Sequence, residues 1–225
     1  MPEQERPSPT AEDYLKAVWR AQEWSDAPVT PSDLAAALGA ARSTVSETVR
    51  RLTDQGLLTH RSYGTVTLTD AGRRRAIDVV RRHRLVETFL VQMLGYTWDE
   101  VHEDAEIIEH AVSDRFVARL DAALGHPRRD PHGDPIPDAD GAVHAPAATT
   151  LDLAPTSRPL RLVRVADDDP ALLRHLADLG LHLDTAMTVL EHQTYAGLVL
   201  LEVNGAEQRL GTTAARSIWV SDLGD

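Results

Sequence analysis

The chain of 225 residues contains no cysteine, which excludes disulfides, thiolate zinc sites, iron-sulfur clusters and cysteine nucleophiles together. Any metal it holds must be bound through His, Asp or Glu. No run of 18 or more apolar residues occurs, and the opening MPEQERPSPT lacks the basic-then-apolar layout of a secretion signal. A cytoplasmic protein without membrane association is expected. The H-E-x-x-H motif of metal-dependent hydrolases is missing as well, and no enzymatic activity is expected. A hydrophobic content of 42% is ordinary for a globular protein.

The net charge of -12 argues by itself against a nucleic-acid partner. Its distribution reverses that argument. Residues 42–84 hold ten Arg against four acids, a balance of +6, whereas residues 85–225 hold ten Arg against 24 acids, or -14. The basic stretch coincides with a readable order of elements. Tyr14, Leu15, Val18 and Trp19 form the apolar face of a first helix capped by Thr10. Thr30, Pro31 and Asp33 start a second, which Gly39 stops. A third begins near Ser43 and buries Val45, Val49 and Leu52, leaving Arg42, Ser43, Thr44, Glu47, Arg50 and Arg51 outside. Two β-prone runs, 57–61 and 65–69, flank the turn Ser62, Tyr63 and Gly64 and read as a wing. This is a winged helix-turn-helix, with double-stranded DNA as its partner. Ser43, Thr44 and Glu47 are candidates for base edges, and Arg42, Arg50, Arg51 and Arg61 for phosphates.

A long helix is expected from Thr69 to about Leu94, closed by Gly95, and another from Thr97, where Glu100 completes a capping box. On the second, His102, Glu106, Glu109 and His110 fall at i, i+4, i+7 and i+8 and share one face, opposite Val101, Ala105, Ile108 and Val112. His83 and Glu87 stand at i, i+4 on the helix before it. Any one of these groups alone would ordinarily be a solvated side chain. Together they would repel one another: two like charges 4 Å apart cost about 4 kcal/mol at an effective dielectric of 20. A divalent cation relieves that repulsion, and oxygen and imidazole donors without sulfur suit Mn(II) or Fe(II).

With the motifs AEDYLKAVW, STVSETVRRLTDQGLL, RRHRLVETFL, EVHEDAEIIEHAVSD and HGDPIP in that order, the chain resembles the diphtheria toxin repressor family of iron- and manganese-dependent regulators from about Ser8 to Gly141. The resemblance implies a primary metal site of Asp13, Glu106, Glu109 and His110, and an ancillary site of His83, Glu87 and His102. Iron-sensing members carry methionine and cysteine where Asp13 and Glu106 stand, so the resemblance implies Mn(II), with Fe(II) as the other candidate. A short single-domain branch has glutamate in place of Lys16, and this chain resembles the longer branch.

Residues 126–159 contain seven of the 13 prolines and read as an extended linker, with His126, His132 and His144 solvated. Beyond them, apolar runs at 160–165, 187–190, 198–203 and 218–220, an Asn204-Gly205 turn and a short helix over 170–179 predict a small β-barrel. It resembles the family's SH3-like domain, which in relatives lends two side chains to the ancillary site, at positions aligned here with Arg161 and Arg164. The expected fold is therefore mainly α with α+β ends: a winged helix-turn-helix over 1–72, a helical dimerisation and metal-binding domain over 73–141, a linker over 142–159 and the SH3-like domain over 160–225. The function implied is a homodimeric, metal-dependent repressor of metal-uptake genes that reads an inverted-repeat operator. The competing reading is a winged-helix regulator responding to an organic ligand, which predicts a sizeable apolar pocket.

Overall fold

The computed structural model describes residues 7–25, 27–60 and 64–223. The chain divides into two compact units, residues 1–83 with 137–142, and residues 84–136 with 143–225.

In the first unit, α1 (Pro9–Glu23) is capped by Ser8, whose hydroxyl accepts from the Ala11 N–H at 3.3 Å. The cap is Ser8 and not Thr10, because Pro9 at the first helical position lacks the N–H that would otherwise go unpaired there. Tyr14, Leu15, Val18 and Trp19 are buried, as their spacing requires. α2 (Pro31–Ala37) opens with a reciprocal box: the Thr30 hydroxyl accepts from the Asp33 N–H at 3.3 Å, and the Asp33 carboxylate accepts from the Thr30 N–H at 2.9 Å. The Thr30 hydroxyl also donates to the Asp33 carboxylate at 2.7 Å, and this bond, with that from the Thr30 N–H, holds the exposed Asp33 carboxyl below its ordinary range. α3 (Arg42–Asp54) buries Val45, Thr48, Val49 and Leu52. The wing follows, with β1 (Leu58–His60) antiparallel to β2 (Val66–Leu68) and Leu58 opposite Leu68. Its turn, with Arg61, Ser62 and Tyr63, lies outside the described residues.

The long helix α4 (Asp70–Leu94) starts as expected at Thr69, whose hydroxyl accepts from the Gly72 N–H at 3.1 Å. Several of its arginines are engaged within the unit, from the exposed Arg73 through the half-buried Arg81 to the buried Arg82. Arg73 lies over the Trp19 ring at 4.5 Å, Arg81 donates to the Pro137 carbonyl, and Arg82 pairs with Glu12 at 2.6 Å with both side chains buried. The +6 balance therefore overstates the basic surface, since composition does not separate arginines that pack from those that face solvent.

In the second unit the remainder of α4, α5 (Val101–Ile108) and α6 (Asp114–Ala123) surround a core of Leu85, Val86, Leu90, Val101, Ala105, Val117, Leu120 and Ile136. Only one arm of the expected box is present: Glu100 accepts from the Thr97 N–H at 3.2 Å and its hydroxyl at 2.7 Å, while the Glu100 N–H donates to the Thr97 carbonyl at 3.2 Å and closes a turn, so α5 begins only at Val101. α5 also stops at Ile108, so Glu109 caps it and His110 stands in the following turn.

The C-terminal part is a small β domain: β3 (Thr149–Thr150), β4 (Pro159–Val165), α7 (Pro170–Asp178), β5 (Ala186–Gln193), β6 (Leu198–Val203), β7 (Ala206–Gly211), α8 (Thr212–Ala215) and β8 (Ile218–Asp222). The strands form an antiparallel sheet in the order β3-β8-β4-β5-β6-β7. Asn204 and Gly205, at φ 52° and 77°, make the two-residue hairpin turn that joins β6 to β7. β7 is not legible as a strand in the sequence because, apart from Leu210, its residues are not buried and supply no apolar alternation. Among the described residues no helix is long and apolar enough to cross a membrane.

Candidate metal centre and nucleic-acid interface

Helix α3 presents Arg42, Ser43, Thr44, Glu47, Arg50 and Arg51 as exposed side chains, while Val45, Val49 and Leu52 anchor its other face. The residues left over by the apolar periodicity are thus the ones on the surface of the third helix of a helix-turn-helix, where a major groove is read. Gly39, at φ 59°, makes the tight turn between α2 and α3.

Of the seven ligand candidates, Asp13 lies half-buried on α1 and His83, buried, closes the same unit on α4. The other five belong to the second unit. Glu87, one turn after His83 on α4, is fully buried. Its Oε1 lies 3.3 Å from His102 Nδ1, and His102 Nε2 lies 3.3 Å from Glu106 Oε1. Glu106 and Glu109 approach within 4.8 Å, and Glu109, also fully buried, is 3.5 Å from its neighbour His110. The stripe read from helical spacing therefore exists as a connected cluster, even though α5 ends before Glu109.

Three further residues join it that spacing did not disclose. Asp167, just past β4, brings Oδ2 to 3.3 Å from His102 Nδ1. The donor atoms of Glu87, Asp130 and His132 all lie within 4.8 Å of one another, and the three side chains are buried. His132 was expected in a solvated linker; it has no exposed surface. Its Nε2 donates to the Trp98 carbonyl at 2.6 Å, which turns Nδ1 toward Glu87 Oε2 at 3.6 Å. The two positions aligned with relatives' ligands carry arginines, which are engaged elsewhere. Arg164 pairs with Asp134 and lies over Trp219, and Arg161 donates to the Leu223 carbonyl, so the β domain contributes Asp167 instead.

The electrostatics are those of a crowded acidic site. Burial opposes protonation of both imidazoles, yet the hydrogen bonds and charges of Asp167 and Glu87 outweigh it at His102, raising its pKa to about 9. At His132, Glu87 first and then Asp130 and Asp167 outweigh burial and raise it to about 10. Burial, with the negative charges of Asp134 and Glu87, pushes the Asp130 carboxyl up to about 7. Positive charge is in demand here, and the donor set of oxygen and imidazole nitrogen fits a hard or borderline divalent ion. The His132 arrangement, one ring nitrogen donating to a backbone carbonyl and the other facing carboxylates, is also the usual posture of a metal-ligating histidine.

The same regions match known families. Residues 8–66 match the iron dependent repressor N-terminal DNA binding domain, residues 69–138 the iron dependent repressor metal binding and dimerisation domain, and residues 149–222 the FeoA domain. The chain is 33% identical over 210 residues to the iron-dependent repressor IdeR of Mycobacterium leprae, covering 88% of this chain and 90% of that one. It is 30% identical over 227 residues to the diphtheria toxin repressor of Corynebacterium diphtheriae, covering 95% and 97%. A solved structure of a manganese-dependent transcriptional repressor in complex with manganese superposes with a TM-score of 0.91 at 51% identity, over 95% of this chain and all of that one. With a DNA-binding domain, a metal-binding and dimerisation domain and a FeoA domain in that order, the chain belongs to the iron-dependent repressor family of metal-dependent transcriptional repressors.

Proposed function

We propose that this protein is an Mn(II)-responsive repressor that binds an inverted-repeat operator as a homodimer and controls metal-uptake genes. The observation that carries the reading is the Glu87 carboxylate, with one oxygen toward His102 and the other toward His132, in a cluster to which Asp130 and Asp167 add only oxygen donors. The absence of cysteine from the chain points the same way, toward a hard ion. The relatedness to a manganese-dependent repressor at 51% identity is further support.

Asp13, Glu106, Glu109 and His110 are assigned to one ion, and His83, Glu87 and His102 to a second, whose surroundings include Asp130, His132 and Asp167. A divalent ion supplies two positive charges that offset the mutual repulsion of these carboxylates and hold them at fixed separations. The residues of the chain do the rest. Trp98, by accepting from His132 Nε2, leaves Nδ1 as the donor atom. Asp13 is the ligand candidate contributed by α1, in the unit that carries α3. Ser43, Thr44 and Glu47 are assigned to base edges, and Arg42, Arg50, Arg51 and Arg61 to phosphates. Linkage then requires operator DNA to raise metal affinity by the factor by which metal raises operator affinity.

The organic-ligand reading finds little support. One cleft sets Leu57 and Ala71 among Arg51, Arg74, Arg75 and Asp78, another sets Val143 and Val163 among Arg128, Arg129, Arg161 and Asp184, and neither is the predominantly apolar pocket that reading requires. The experiment that tests the proposal is operator selection with metal-stripped protein, titrated with Mn(II), with Fe(II) under anaerobic conditions, and without metal. Specific binding that appears at lower Mn(II) than Fe(II) is expected. An equal or stronger Fe(II) response would reassign the metal, and metal-independent binding would sink the proposal.

A further inference from the structure

The strand β4 and the loop over 128–137 are joined at several points. The Val165 N–H donates to the His132 carbonyl at 2.9 Å. Gly133, at φ 92°, lies so close to β4 that a Cβ there would stand 2.0 Å from the Val163 carbonyl oxygen. Arg164 Nε donates to Asp134 Oδ1 at 2.6 Å, and Asp167 follows two residues after the strand ends. The joint delivers Asp130 and His132 from one side and Asp167 from the other, and Glu87 meets them from α4.

Behind these groups runs a second row of buried charges. Arg164 lies 4.0 Å over the Trp219 ring, which sets the plane of its guanidinium. It shares Asp134 with Arg84, whose Nη2 is 3.6 Å from Asp134 Oδ1 and whose Nε is 3.6 Å from Asp130 Oδ2. Arg84 is itself pinned by donating to the Pro135 carbonyl at 2.7 Å. Asp130 Oδ1 meanwhile accepts from the backbone N–H groups of His132 and Asp134, both at 2.9 Å. Both oxygens of Asp130 are therefore engaged from behind, and the carboxylate has one orientation available.

We infer that Arg164 is a positioning residue for the metal site, acting through Asp134 and Arg84 to orient Asp130, so that the β domain sets the metal affinity of a carboxylate it does not carry. The inference rests on the assignment of Glu87, Asp130, His132 and Asp167 to the surroundings of one ion. Its physical content is a sign. Arg164 is a cation near a cation site, so if it acted only through its charge, removing it would tighten metal binding. As a positioning residue its removal loosens binding, because Asp134 then turns wholly to Arg84 and draws that guanidinium away from Asp130.

The test uses the full-length protein carrying His110→Ala, which disables the other site, with Mn(II) binding followed by calorimetry. Arg164→Gln is expected to lower affinity about 10- to 100-fold, the usual range for groups that orient a ligand. Arg164→Lys, which keeps the charge without the planar fork, restores part of it. Trp219→Leu changes no charge and frees the guanidinium plane, and it too is expected to lower affinity; it decides the matter if Arg164→Gln does not fold. Affinity unchanged or raised in the folded variants would overturn the inference while leaving the site intact. If Glu87→Ala leaves Mn(II) uptake unaltered in the same background, the site assignment falls, and the inference with it.

Discussion

Replacing Gly133 by alanine tests the claim that the loop over 128–137 owes its function to close contact with β4. The added Cβ would sit 2.0 Å from the Val163 carbonyl oxygen and 2.9 Å from the Arg164 Cα, against backbone atoms that have no rotamer with which to yield. Loop and strand must separate by about 1.5 Å before the overlap becomes an ordinary contact. The residue also sits at φ 92°, where a side chain costs about 1–2 kcal/mol, and overpacking adds about 1–3 kcal/mol. The sum, about 2–5 kcal/mol, corresponds to a fall in Tm of about 5–15 °C for a domain of this size. The functional effect follows from the same displacement. Ligands must be held within about 0.5 Å of their working geometry, so a shift of about 1.5 Å in Asp130 and His132 is expected to weaken Mn(II) binding at this site about 10- to 100-fold. Thermal melts of the metal-free protein and the EPR signal of free Mn(II) during titration measure the two effects. A variant with unchanged Tm and unchanged Mn(II) uptake would show that the contact has no role in forming the site.

The buried Glu12–Arg82 pair offers an independent check on the first unit: Glu12→Ala leaves a guanidinium without its carboxylate and is expected to cost about 3–5 kcal/mol, while Glu12→Leu with Arg82→Met recovers most of it in the same melts. The raised pKa values of His102 and His132, about 9 and 10, give two pH dependences of opposite sign. In the metal-free protein their protonation stabilises the fold fully below pH 6.5, and that contribution is lost as the pH rises through 9 and 10. Mn(II) must displace the same protons, so its apparent affinity rises with pH by about tenfold per unit per proton displaced; calorimetry in buffers of different ionisation enthalpy counts those protons, and zero release would refute the assignment of the two histidines. On the DNA side, Arg50→Ala is expected to weaken binding to all sequences alike and to lower the salt slope by about one, whereas Thr44→Ala should relax preference at particular base pairs; the reverse pattern in binding measured across salt concentrations would exchange their roles.

Local chemistry alone makes much of this molecule legible. Thr30 with Asp33, Gly39, Asn204-Gly205 and the spacing of Val45, Val49 and Leu52 act over a few residues, and the chain folds there as they dictate. The stripe of His102, Glu106 and Glu109 is likewise a consequence of helical period, which is why those residues could be singled out. What the sequence did not determine was which segments meet. His132 lies in a proline-rich stretch whose composition reads as solvated, and it is buried because β4 packs along it, an event that composition does not encode. Asp167 and Asp130 are one acid each among 35, distinguished only by standing within reach of His102 and Glu87. Arg164, matched by alignment to a ligand position, became a partner of Asp134 and Trp219, and Arg82 left the basic surface for the interior, paired with Glu12. Short-range periodicity and capping thus decided the elements and the helix-borne part of the site. Burial, which sets both the packing and the charge balance of buried groups, depends on contacts tens of residues apart, and only the tertiary structure decided it.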